Sequence, residues 1–274
     1  MTSQLIDELS HNGIVNDDDG KILLLQKPIE WTSFDIVKKV RNILREKKVG
    51  HCGTLDPKAE GLLILLTGRK TKLVDEFHLF EKEYKAEMIL GERTSTFDSE
   101  DEVIEKKSIE GITEEKIQQT FSEFIGERTQ IPPMFSAAKH DGKPLYLLAR
   151  KGIEVERTPR AITIFSLNIL AIEIPIVKFR VVCSKGTYIR SLVDEIGLHL
   201  GCGAYLKTLK RTRIGSFRLE NALSIEQVME KFPKKSINKF VISNEAKLPS
   251  NSNNDVDKFL RRYTHNENEM RIAA

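Results

Sequence analysis

The longest strongly apolar run in this chain is Leu62–Leu66, only five residues, and it limits the fold more than any other feature. A bilayer-spanning helix needs about 20 apolar residues. The run therefore reads as a short buried strand. Gly20–Lys27 reads the same way, and Pro28 closes it because proline cannot donate to a strand ladder. Between the two, Ile36, Val37, Val40, Ile43 and Leu44 recur at helical spacing behind a Thr32 or Ser33 cap. Lys38, Lys39, Arg41 and Arg45 fall on its other faces, which makes this helix amphipathic and basic.

Further along, Lys82–Glu92 alternates as a half-buried strand, with Tyr84, Ala86, Met88 and Leu90 on one face. Thr113–Ile125 reads as a capped helix with Ile117, Phe121, Phe124 and Ile125 on its core side. Gln130–Ala138 contains Pro132-Pro133 and must be extended and stiff. A short helix at Leu145–Arg150, strands near Ala161–Ile174 and Val177–Cys183, a helix opening at Gly186-Thr187, a basic strand near Ala204–Phe217 and a helix at Ser224–Phe232 follow. Helices and strands without regular βαβ alternation point to a mixed α+β fold.

Composition excludes several classes. Hydrophobic residues make up 40% and charged residues 30% of 274, as in an ordinary soluble globular protein. The acidic, polar N-terminus lacks the basic and apolar regions of a signal peptide, so a cytoplasmic protein with no membrane contact is expected. Cys52, Cys183 and Cys202 are scattered and form no C-x-x-C pair, so neither a disulfide framework nor a metal site is expected. The net charge of +3 conceals a polarity. Lys38–Lys72 holds ten basic against three acidic residues, and Gly203–Leu219 five against none. Glu92–Glu127 reverses this, with eleven acidic against four basic. Single charge runs are commonly solvated faces; two basic segments with an acidic counterweight suit a polyanion-binding face.

Three motifs could carry chemistry. Gly50-His51-Cys52-Gly53-Thr54-Leu55-Asp56-Pro57 places an aspartate on a loop stiffened by proline and freed to turn by glycine, although Asp-Pro and glycine also build ordinary turns. At Cys183–Arg190 a strand ends in glycine and a helix begins. Free N–H groups there, with Lys185 and Arg190, would hold a phosphate or carboxylate, and Arg190 could clamp a carboxylate bidentately. A plain charged helix start reads equally well. Leu206–Arg213 interleaves basic residues with leucines, as phosphate contacts require and as an amphipathic edge strand also would.

Together, Gly50–Gly61, Lys82-Glu83-Tyr84, Gln130–Lys139, Ser184–Arg190 and Leu209–Thr212 resemble, in order, the motifs of TruB-type tRNA pseudouridine(55) synthases. The resemblance covers roughly residues 20–225. It implies an α+β, pseudouridine-synthase-like catalytic domain with a mixed, mostly antiparallel sheet flanked by helices. It also implies Asp56 as catalytic carboxylate with Arg190 as its partner, Tyr84 against the target base, and Tyr188 and Leu209 lining the uridine pocket. His51 matches the histidine that helps hold the flipped nucleotide. Three segments are expected: a flexible one at 1–19, the catalytic domain at 20–232, and a polar tail at 233–274 with a PUA-type domain absent or degenerate. The sequence departs from the family at Cys52, where threonine is usual, and at Lys58 and Glu60.

The expected reaction isomerises a T-loop uridine: the N1–C1′ bond breaks, the uracil rotates, and C5 rejoins C1′. No group or electron is gained, so no cofactor is required. A carboxylate can attack C1′ or remove the C2′ proton, and both routes stay open. The everted base loses its stacking, which an aromatic face returns at roughly 1–3 kcal/mol. The expected partner is the T-arm stem-loop of tRNA, bound by a monomer without guide RNA. A non-catalytic RNA-binding protein is the alternative. A glycosidase would need two carboxylates about 5–10 Å apart.

Overall fold

The two apolar runs become neighbouring strands, each covered on both faces. The computed structural model describes residues 3–233, with side chains from residue 6. The tail read at 233–274 lies, but for its first residue, outside the described residues.

In chain order the elements begin with α1 (Ser3–Asn12), β1 (Ile14–Asp17), β2 (Gly20–Lys27), α2 (Ser33–Leu44), β3 (Val49–Cys52) and β4 (Ala59–Thr67). A 3₁₀ turn at Gly68–Leu73 leads to α3 (Val74–Leu79), β5 (Lys82–Leu90) and the hairpin of β6 (Glu92–Thr94) and β7 (Val103–Lys106). Next come α4 (Glu114–Glu123), β8 (Gly126–Gln130), the short pair β9 (Lys139–His140) and β10 (Lys143–Pro144), and α5 (Leu145–Ala149). The last elements are β11 (Arg160–Glu173), β12 (Ile176–Cys183), α6 (Ile189–Leu200), β13 (Ala204–Ile214), β14 (Phe217–Arg218) and α7 (Ile225–Lys231).

The main sheet runs β1-β2-β4-β13-β5-β12-β11-β8, with β3 added beside β4 and β14 beside β13. Its pairings are antiparallel except β4 with β13, where Leu209 lies opposite Ala59 and Arg211 opposite Gly61. This is the mixed, mostly antiparallel α+β architecture expected. The last long strand thus closes the gap between the β1-β2-β4 half and the β5-β12-β11-β8 half.

Period-two geometry explains the apolar runs. In β2 and β4, Ile22, Leu24, Leu62, Ile64 and Leu66 face a core shared with Leu9, Phe77 and Phe217. Leu23, Leu25, Leu63 and Leu65 face the opposite core, packed on Ile36, Val37 and Val40 of α2 and Val228 of α7. Truncating such a fully buried side chain, Ile64→Ala for instance, costs roughly 2–5 kcal/mol. The larger core joins β5, β11 and β12 to α4 and α6, and all four expected inward residues of β5 (Tyr84, Ala86, Met88, Leu90) belong to it.

Thr32 caps α2: its side chain accepts the Asp35 N–H at 3.0 Å, and Asp35 accepts the Thr32 N–H at 2.9 Å. Two expectations are corrected. Residues 3–19 are not a loose segment, because α1 inserts Leu9, fully buried, beneath the sheet and β1 pairs with β2. Ile125 is 48% exposed, since α4 ends at Glu123 and the chain turns before it can face inward.

Candidate active site

The loop between β3 and β4 is held from three sides. From α2, the Ser33 hydroxyl accepts the Leu55 N–H at 2.9 Å and donates to the Leu55 carbonyl at 3.2 Å. From β2, buried Lys27 donates to the carbonyls of Pro28, Trp31 and Pro57. From β13, Arg211 donates Nε to Leu62 O at 2.7 Å and its terminal nitrogens to Gly53 O and Thr54 O, at 3.0 and 3.4 Å. Gly53 takes φ +86°, which the turn requires and a side chain would resist. A loop so anchored presents Asp56 in a fixed direction.

Asp56 meets Arg190 of α6, whose Nε lies 2.9 Å from its Oδ2. The fork expected from Arg190 is not bidentate. Nη1 donates to Thr96 O at 2.9 Å and Nη2 to Phe135 O at 2.7 Å, which leaves Nε alone for carboxylates. The same Nε lies 3.3 Å from Asp98 Oδ2, so one cation bridges two acids. Asp98 is buried and also accepts from the Thr96 hydroxyl and the Glu100 N–H. Burial lifts the Asp98 carboxyl above its ordinary value despite the pull of Arg190.

Asp56 and Arg190 border a cleft of about 300 Å³ that Tyr84, Tyr188 and Leu209 also line. Tyr84 is buried near the start of β5, and that burial raises its phenol above the usual value. Gln130 orients Tyr188: its Oε1 accepts the Tyr188 N–H at 2.8 Å and its Nε2 donates to Tyr188 O at 3.2 Å. The helix start expected to offer free N–H groups is therefore already partnered at Tyr188.

His51 is not brought to the cleft wall. It sits in β3 with Nδ1 buried and without a partner, and burial depresses its pKa. His78 and Lys82 line the cleft instead, and neither was singled out as a site residue from sequence. Lys82 belongs to a recognised motif; His78 sits in a short helix whose sequence carries no signal. The basic strand β13 is interior rather than an edge. Arg211 is 1% exposed, Arg213 is paired with Glu81 at 2.7 Å, and Lys210 with Glu60 at 3.1 Å. Glu60, the acidic residue nearest Asp56 in sequence and the one a glycosidase reading would need, is occupied by that lysine. Among the described residues, no three His, Cys, Asp or Glu side chains cluster to hold a metal ion. No helix there is long and apolar enough to cross a membrane.

The geometry is a carboxylate held by a cation at the edge of a cleft with a buried tyrosine in its wall. The chain is 47% identical to a tRNA pseudouridine synthase B of Chlorobaculum tepidum, over 79% of this chain and 92% of that relative. It is 43% identical to one from Clostridium tetani, over 93% of this chain and 84% of the relative. Among solved structures, a Cbf5-Nop10-Gar1 complex matches at 34% identity and TM-score 0.60, over 76% of this chain. The chain spans about half, 53%, of that solved chain. Residues 41–189 match the TruB family pseudouridylate synthase N-terminal domain, and residues 190–246 match the tRNA pseudouridylate synthase B C-terminal domain. The chain belongs to the TruB family of pseudouridylate synthases.

Proposed function

We propose that this protein converts a T-loop uridine of tRNA, at position 55, to pseudouridine, acting alone as a monomeric cytoplasmic enzyme on the T-arm stem-loop. The observation that carries the reading is the Asp56–Arg190 ion pair at 2.9 Å beside a cleft that Tyr84 helps to wall. Asp56 is the carboxylate that acts at the ribose, by bonding to C1′ or by taking the C2′ proton. Arg190 aims it, because a guanidinium fixed by two carbonyls cannot swing away. Tyr84 receives the everted base, with Tyr188 and Leu209 beside it. His51 acts from behind the loop, as a half-buried ring in β3 whose Nδ1 is covered.

The relatives named tRNA pseudouridine synthase B support tRNA as substrate, at higher identity than the partner-bound Cbf5 complex. A protein that only bound RNA would not need a carboxylate facing a polyanion. The test is conversion of a bare, unmodified T-arm stem-loop by purified protein without cofactor, read by nucleoside chromatography and tritium release from C5. Conversion of full tRNA but not the stem-loop would remove the T-arm assignment. Binding with no pseudouridine formed would remove the enzyme.

A further inference from the structure

Two buried cations in the cleft wall, Lys82 and Arg211, remain without a chemical task. Lys82 is 5% exposed and Arg211 1%. Lys82 lies among Arg211 of β13, the thiols of Cys183 and Cys52 on β12 and β3, Lys185 just beyond β12 and His78 of α3, and its hydrogen bonds go to carbonyl oxygens, not to a carboxylate. Arg211 likewise meets no carboxylate in its hydrogen bonds among the described residues, which go to the carbonyl oxygens of Leu62, Thr54 and Gly53, and its guanidinium lies beside the Tyr84 phenol. A Cβ built on Gly53 would stand 3.4 Å from Arg211 Nη1 and 3.9 Å from Lys82 Cε, so both cations sit under the loop that carries Asp56. Desolvating two like charges side by side is costly unless negative charge comes to meet them.

Position says which charge. Lys82 and Tyr84 alternate on the buried face of β5, about 7 Å apart. A base laid against Tyr84 therefore has one edge near the Lys82 ammonium. That ammonium has three donors, and two are used, on His78 O at 2.7 Å and Phe80 O at 2.6 Å. One N–H is left at the wall of the cleft.

We propose that Lys82, backed by Arg211, stabilises the uracil anion released when the glycosidic bond breaks, by donating to a uracil carbonyl oxygen. This rests on the pseudouridine-forming reading above. When C1′–N1 breaks, its electron pair stays with the base and spreads from N1 onto the two carbonyl oxygens. The ribose is completed either by a bond from Asp56 to C1′ or by a C1′–C2′ double bond as Asp56 takes the C2′ proton. C5 of the same anion then bonds to C1′ as the Asp56–C1′ bond breaks or, on the second route, as Asp56 returns its proton to C2′; either way the carboxylate is freed, and the proton lost from C5 is matched by one gained at N1. The charge exists only between cleavage and reattachment, so a fixed cation there acts on the barrier rather than on binding.

The experiment measures single-turnover rates of wild type, Lys82→Gln and Lys82→Met on T-arm RNA carrying either uridine or 5-fluorouridine at the target. Fluorine stabilises the departing anion, so that substrate needs less help. Lys82→Gln keeps an N–H without the charge and carries the test if Lys82→Met does not fold. Loss of the cation should slow cleavage of uridine by about 100-fold, cleavage of 5-fluorouridine by under about tenfold, and leave RNA affinity within a few-fold. Equal losses on both substrates, or no loss, overturn the proposal. Weakened RNA binding at an unchanged rate also overturns it and gives the pair to a backbone phosphate. A wild type inert on both RNAs removes the pseudouridine reading itself, which an active wild type with equally impaired variants does not.

Discussion

Arg190 touches Asp56 through Nε alone, at 2.9 Å, with both of its terminal nitrogens bound to the carbonyls of Thr96 and Phe135. The arginine is thus located by the loops before β7 and after β8, not by the acid it serves. Removing the charge of Asp56 leaves that frame in place. Asp56→Asn is expected to keep its fold and its tRNA affinity while turnover falls by roughly 10²–10⁴-fold or more. Filter binding and single-turnover assays on the same preparation check both halves.

Arg190→Lys keeps the charge and loses the geometry. An ammonium on a flexible stem cannot reach two carbonyls and two carboxylates on opposite sides. The Thr96 and Phe135 carbonyls then lack a donor, and stability should drop by roughly 1–3 kcal/mol. Turnover should fall about 100-fold. Urea titration beside a rate assay separates the two effects, and wild-type turnover in this variant would show that position does not matter.

Two glycines with positive φ should respond very differently to alanine. At Gly61, φ is +113° and a Cβ would stand 2.3 Å from the Arg211 carbonyl oxygen. Gly61→Ala must part β4 from β13, at roughly 2–5 kcal/mol. At Gly186, φ is +79° and nothing lies within 4 Å of the added carbon. Gly186→Ala should cost only the backbone term, about 1–2 kcal/mol. Denaturation midpoints rank the pair.

His51 makes part of the stability depend on pH. Burial foremost, then the Arg211 and His78 charges, holds its folded pKa below the ordinary 6.5. The unfolded ring therefore binds a proton first as pH falls. The stability gained by keeping the ring neutral is complete above 6.5 and is lost as pH drops through the depressed folded value. Urea midpoints at pH 7.5 and 5 should fall further in wild type than in His51→Gln. His78 shifts in the same direction but is present in both proteins. Equal falls would show that His51 is not the titrating group.

Legibility differed by element for physical reasons. β2, β4 and β5 could be read because side-chain alternation shows directly which faces are covered. Asp56 could be read because proline and glycine mark its loop. Asp98 could not, since it lies in the acidic stretch Glu92–Glu127 beside Glu100, Asp101 and Glu102 and shares their character. Only the turn at Phe97, with φ +64°, and the bridge from Asp98 to Leu206 select it. The burial of Arg211 could not be read, since Leu206–Arg213 has the pattern of an amphipathic edge strand, and only its pairing between β4 and β5 turns Arg211 inward. Leu9 was missed because α1 is a short, mostly polar helix whose few apolar residues carry too little periodicity to stand out.

The parallel union of β4 with β13 also sets an order of assembly. Arg211 reaches Leu62 across 149 positions of chain, and the Gly53 and Thr54 carbonyls across more. While a ribosome is still making this protein, the segment around Asp56 emerges early and waits, without its main clamp, until β13 has left the exit tunnel. Competence for chemistry thus arrives late and all at once, so a nascent chain halted short of that strand has the aspartate but no enzyme.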